Sequence, residues 1–160
     1  MRTVRRAASR LLVLSVLGCG NGDSNDPGEP FPDAGGVYEM AGGFDDIGSE
    51  DGSFSGTLEL NQASQESCAL TGTIAILVDL AGDVFNITDN LGGATVSPDG
   101  VVTFTIGDAG ASWTFTGTFT GLDIEQGRHT LTASEGTLSG SWQAGRTAEA
   151  VAGAVRRIAR

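Results

Sequence analysis

Residues 115–119 read FTGTF, and this short stretch decides the fold. Its pattern is apolar, hydroxyl, Gly, hydroxyl, apolar, and it recurs as FSGTL at 54–58, LTGTI at 70–74 and LSGSW at 138–142. In a strand the side-chain period is two, so both apolar residues and the Gly share one face and the hydroxyls take the other. Gly weakens a flat strand, so a repeated inward Gly needs a cause. Curvature supplies one: without a Cβ the strand can coil tightly where a sheet closes on itself.

The same period runs outward from these segments. Phe54, Leu58 and Leu60 alternate with Ser55, Thr57 and Glu59; Leu70, Ile74, Ile76 and Val78 alternate against Thr71 and Thr73. Further strand-forming runs lie at 85–88, 94–96, 101–106, 113–120, 129–132 and 137–142, with turn residues between them. Ser97-Pro98-Asp99-Gly100 is the clearest hairpin turn, with Pro preset in φ and Gly free to take φ > 0. The pattern predicts an all-β domain over 37–160: a small antiparallel up-and-down barrel of about 8–10 strands, with a two-sheet sandwich as the alternative. Residues 147–160 (TAEAVAGAVRRIAR) suit either a short helix or a closing strand. Closure favours the strand, with Ala152–Ile158 pairing against the first strand.

Ahead of the strands lie two other regions. Arg2, Arg5, Arg6 and Arg10 precede an apolar run, Leu11–Leu17, that is too short to span a bilayer and reads as an export signal. Residues 20–36 (GNGDSNDPGEPFPDAGG) hold three of the four prolines and one large apolar residue, Phe31, and read as a flexible acidic linker. The expected organisation is therefore signal 1–18, Cys19 with linker 19–36, and barrel 37–160.

Val16-Leu17-Gly18-Cys19 resembles the lipobox of bacterial lipoproteins. The resemblance implies cleavage before Cys19, acylation of that residue and membrane attachment through the lipid. In the diderm lipoproteins it resembles, an Asp after the Cys favours inner-membrane retention. Gly20 stands there instead, so the outer membrane is the expected location, with a secreted or periplasmic soluble protein as the alternative. The strand rhythm and the hydroxyl-Gly-hydroxyl segments resemble the lipocalin-like and calycin-like barrels found behind such signals. Gly36-Val37-Tyr38 is a loose echo of the lipocalin G-x-W motif, and barrels of this kind often end in a closing strand that carries an Arg.

Charge and composition narrow the function. The chain has net charge −11 and no Lys; with the four signal arginines removed, five Arg face 20 acidic residues, a net −15. A surface this acidic argues against nucleic-acid binding. Ten aromatic residues are too few for the two girdles of a membrane-spanning barrel. With Cys19 acylated, Cys68 stands alone as a small core hydrophobe; with Cys19 left as a thiol, an exported Cys19–Cys68 disulfide is the alternative.

The chemistry is sparse. The single His, His129, reads as structural or surface-exposed, and no metal-ligand, nucleophile-elbow or phosphate-loop spacing occurs. The acidic groups at 45–46 and 50–51, and Asp79, Asp83 and Asp89, read as solvated turns. The expectation is a non-catalytic, membrane-anchored module without cofactor or metal, structural or interactive in role. The alternative is a carrier of a small apolar ligand, lined by Phe54, Leu58, Leu70, Ile74, Phe104, Trp113, Phe115, Phe119 and Trp142.

Overall fold

The computed structural model describes residues 30–45, 52–108 and 110–147. These form nine antiparallel strands: β1 (Gly36–Phe44), β2 (Gly52–Gln62), β3 (Leu70–Leu80), β4 (Asp83–Asn90), β5 (Gly92–Val96), β6 (Val101–Gly107), β7 (Ala111–Thr120), β8 (Asp123–Ala133) and β9 (Gly136–Arg146). They lie in one sheet, in the order β4-β3-β2-β1-β9-β8-β7-β6-β5. One continuous curled sheet excludes the sandwich, and the up-and-down barrel is the correct architecture.

Every neighbouring pair follows the chain except β1 and β9, which join the two ends of the meander. Tyr38 pairs with Arg146 and Phe44 with Gly140. The other edge of β1 is taken by β2, from Gly36↔Leu60 to Gly43↔Ser53. The expected closing strand at 152–158 therefore has no place beside β1; β9 performs that closure, and 148–160 lie outside the described residues. Closure is the reason to expect a strand there, and β9 already supplies that pairing edge.

The seam lies instead between β4 and β5, which are adjacent in sequence and opposite in the sheet. A single residue, Leu91, separates them. Its N–H donates to Gly72 O at 3.0 Å, Val96 N–H donates to Cys68 O at 2.8 Å, and Ala69 bridges Thr95. The β4–β5 stretch thus behaves as one bent strand. Its first half pairs with β3, and its second half closes the lower wall by pairing with β6. The Ser97–Gly100 turn forms as expected, with Gly100 N–H on Ser97 O at 2.9 Å and Gly100 at φ +81°.

The inward glycines sit where neighbouring backbones press closest. A Cβ on Gly56 would run into the Ala75 carbonyl and come within 2.7 Å of Ile76 Cα; one on Gly72 would strike the Glu59 carbonyl. At Gly140 it would meet the Gly43 carbonyl and, at 2.7 Å, the His129 ring. Gly117 is covered by Ile124 and by Trp142, whose ring lies 3.1 Å from the absent Cβ. The repeat therefore marks tight coiling and close packing together.

Part of the expected linker is folded. Phe31 packs on the core and donates its N–H to Gln65 O at 2.8 Å; Ala34 is fully buried and donates to Gln62 Oε1 at 3.0 Å. Composition averaged over 17 residues hides one well-placed aromatic and a few specific hydrogen bonds.

Gly56→Ala should lower stability by roughly 1–3 kcal/mol, the usual cost of forcing extra volume into a packed site. Gly43→Ala, whose Cβ would find nothing closer than 3.5 Å, is the control and should shift the urea midpoint little. Equal midpoints for both variants would show that inward glycines do not set the curvature.

Candidate functional site

All nine residues expected to line the interior point inward. Eight are buried and Phe119 is half-buried against them. Period two carried each to the same face. What fills the space between them is each other. Phe104 stacks on Phe115 with centroids 4.9 Å apart, and Phe115 lies 4.9 Å from Trp113. Phe54 meets Trp113 edge-on at 5.1 Å, and Trp142 meets Phe115 edge-on at 5.7 Å. These are the offset and T-shaped separations that aromatic quadrupoles favour.

Phe44 and His129 complete the cluster, and neither was expected there. His129 is 2% exposed, with Phe44 at 5.0 Å and Phe54 at 5.1 Å, both edge-on. Its parity could have revealed it: it shares a strand face with Gly127 and Leu131, between Arg128 and Thr130. Trp113 Nε1–H donates to His129 Nδ1 at 3.1 Å, so Nδ1 must be the unprotonated nitrogen. The proton then resides on Nε2, which donates to Gly43 O at 2.9 Å. Both ring nitrogens are thus engaged in a neutral imidazole, with neither left to act on a substrate. Burial depresses the His129 pKa below its ordinary value, opposed by the Gly43 hydrogen bond and by Asp45.

Trp142 meets its polar need differently. β8 carries a bulge between Ile124 and Gly127, with Gln126 at φ +52°. The Trp142 indole N–H reaches the opening this makes and donates to Thr116 O and Arg128 O, each at 3.1 Å. A Cβ at Gly127 would collide with this indole. Outside the wall, Ala41–Gly43, Gln126–Arg128 and Ser141–Gln143 border a shallow open groove. No buried side-chain nitrogen or oxygen among the described residues lacks a partner.

The opposite end of the barrel is closed by an arginine. Arg146, at the end of β9, lies over the Tyr38 ring with its guanidinium carbon 5.3 Å from the centroid. Its Nε and one Nη donate to the Tyr38 hydroxyl at 3.2 and 2.8 Å, and the same Nη donates to Asp33 O. Tyr38 in turn donates to Ala34 O at 2.9 Å. Burial raises the Tyr38 pKa, so the phenol stays protonated as that donation requires. Tyr38 of β1 is thus held between Arg146 of β9 and the Ala34 carbonyl.

The remaining candidates scatter. Asp79 accepts from Gly82 N–H at 3.0 Å in the β3–β4 turn, and Asp89 accepts from Gly107 N–H at 2.8 Å. No metal-holding group of three acidic, His or Cys residues occurs among the described residues. Cys68 is half-buried at the foot of β3 and is disulfide-bonded, not the lone core thiol expected with Cys19 acylated. The chain's other cysteine, Cys19, lies outside the described residues. No protein-family model, curated protein or solved structure matches the chain.

The neutral His129 has a pH signature. Its folded pKa is depressed, so the unfolded chain binds more protons below the ordinary His value of about 6.5. Its contribution to stability is full above that value and is lost as pH falls towards the folded pKa. Urea midpoints of the native chain should therefore fall, as pH drops below about 6.5, more steeply than those of His129→Phe. Parallel profiles would refute the neutral, doubly bonded state.

Proposed function

We propose that this chain is a membrane-anchored lipoprotein of the cell envelope, and that its barrel is a non-catalytic module with a structural or interaction role. The observation that carries this reading is an interior occupied by the barrel's own aromatic rings, with the one imidazole bonded at both nitrogens. A small barrel is about the size whose interior its own side chains can fill. The strand rhythm and the hydroxyl-Gly-hydroxyl segments support a lipocalin-like module, with the ligand space taken up by side chains. Anchoring rests on the lipobox-like Val16–Cys19 segment, and Gly20 favours the outer membrane. Two or more acyl chains would hold the protein stably where one would not. Nucleic acid is a poor partner: the two arginines among the described residues already pair with Asp45 and Asp33.

One observation favours a second reading of the anchor. A sulfur in a disulfide cannot also carry a thioether, and Cys19 is the only other cysteine available to Cys68. A soluble exported protein with a Cys19–Cys68 bridge, formed in an oxidising compartment, is that reading. Fractionation separates the two. The native chain should partition with membranes and Cys19→Ala should not; native chain in the soluble fraction would support the bridge.

The interior is tested by native mass spectrometry of residues 20–160, freshly purified. A bare-protein mass with no uptake from a lipid extract is expected. A discrete added mass lost on denaturation would establish the carrier alternative.

A further inference from the structure

We propose that His129 is an acid-operated latch on the end of the barrel that holds Phe44 and Trp113. A proton added at its Nδ1 parts it from Trp113 and opens that end, while the Arg146 end stays closed. Geometry fixes where the proton goes. Nε2 already carries its hydrogen, bonded to Gly43 O at 2.9 Å, which leaves Nδ1 as the basic nitrogen. That nitrogen accepts the Trp113 indole N–H at 3.1 Å. Once protonated it is a donor, and two N–H groups then face each other with no acceptor between them.

The surroundings favour the neutral ring. Phe44, Phe54, Trp113 and Phe115 enclose it, with centroids at 5.0, 5.1, 5.5 and 5.9 Å. Burial there disfavours the cation, opposed by the Gly43 hydrogen bond and the Asp45 carboxylate. Among the described residues, the charged groups nearby are Asp45, just past Gly43 on β1, and Arg128 on the outer face of β8. These two bind each other at 3.2 Å. β2, β7 and β9 bring Phe54, Trp113, Phe115 and Gly140 to the ring, none of them ionisable.

The latch sits beside a short way out. His129 is the last fully buried residue of β8. Beyond it the inward position is Leu131, paired with Leu138 of β9, and both are partly exposed. Phe44 is the final residue of β1, and Trp113 is the first buried residue of β7. A cationic imidazole reaches water by displacing the two leucines, and Phe44 and Trp113 then lose the ring they pack against.

The other end is held by groups that mild acid leaves unchanged. A guanidinium keeps its charge throughout, and the Tyr38 phenol, its pKa raised by burial, keeps its proton. Their bonds to each other and to the Asp33 and Ala34 carbonyls therefore persist. Acid thus acts on one end and spares the other, a local opening distinct from loss of the whole fold. The device works the same way however the chain is anchored.

Hydrogen exchange on the native chain, read by NMR as pH is stepped down through the ordinary His value of about 6.5, tests this. The Trp113 indole N–H, and the Asp45 amide bonded to Ser139 O at 2.8 Å, should lose at least about tenfold in protection. At the same pH the amides of Phe31, Ala34 and Thr147, bonded to Gln65 O, Gln62 Oε1 and Val37 O at the Arg146 end, should hold. His129→Gln has no titrating ring and should abolish the selective loss. Should that variant fail to fold, Asp45→Asn serves instead. It removes a carboxylate that favours the imidazolium, so the loss should move to lower pH. Loss at both ends together would overturn the proposal. So would a selective loss that persists in His129→Gln or stays at the same pH in Asp45→Asn.

Discussion

The barrel depends on how closely neighbouring backbones approach at the inward glycines. At Gly56, Gly72 and Gly140 the carbonyl of the adjacent strand occupies the place a Cβ would take. An alanine wall would have to open at each of these positions, and a wider wall would separate the rings that now touch across the interior. The hydroxyls flanking each Gly face outward and solvate the same strands, so one five-residue pattern supplies curvature, core and surface. Pairing β1 with β9 joins the two arms of the meander into one curled sheet, and Arg146 on Tyr38 fastens that joint at one end.

A polar ring at the centre of an aromatic cluster demands compensation. Burying an unpaired imidazole would cost several kcal/mol in the least favourable case. His129 avoids this by accepting from Trp113 and donating to Gly43, which are held on β7 and β1. The two bonds fix the tautomer and tie β8 to its neighbour β7 and, across β9, to β1. They also give the cluster a defined arrangement that an all-hydrocarbon core would lack. The absence of a side chain at Gly140 makes room for the ring, so the curvature device and the polar link share one position.

Much of this was legible in the sequence because strand parity is simple. The strand rhythm, the Ser97–Gly100 turn and all nine interior residues follow from period two and turn chemistry. Three features did not follow. His129 obeys parity, but His has no fixed preference for burial, and its partners Trp113 and Gly43 lie 16 and 86 residues away. Phe31 and Ala34 sit in a stretch whose composition describes its neighbours better than themselves. Phe85 reads as an ordinary strand apolar; its exposure comes with the edge position of β4, a property of sheet order that no local window contains. The closing strand was misplaced for the same reason, since pairing between chain ends is decided by geometry and not by local pattern.

The interior is lined by aromatic rings in mutual contact, Phe54, Phe104, Trp113, Phe115 and Trp142 among them. The central claim is the filled interior, and xenon probes it most directly, since this apolar atom enters dry cavities and perturbs the methyls that line them. NMR spectra recorded under xenon pressure should show only weak, non-saturating shifts for the methyls of Leu58, Ile74, Val78 and Val102. Saturable shifts at those methyls would reveal a void large enough for a ligand and would contradict the account.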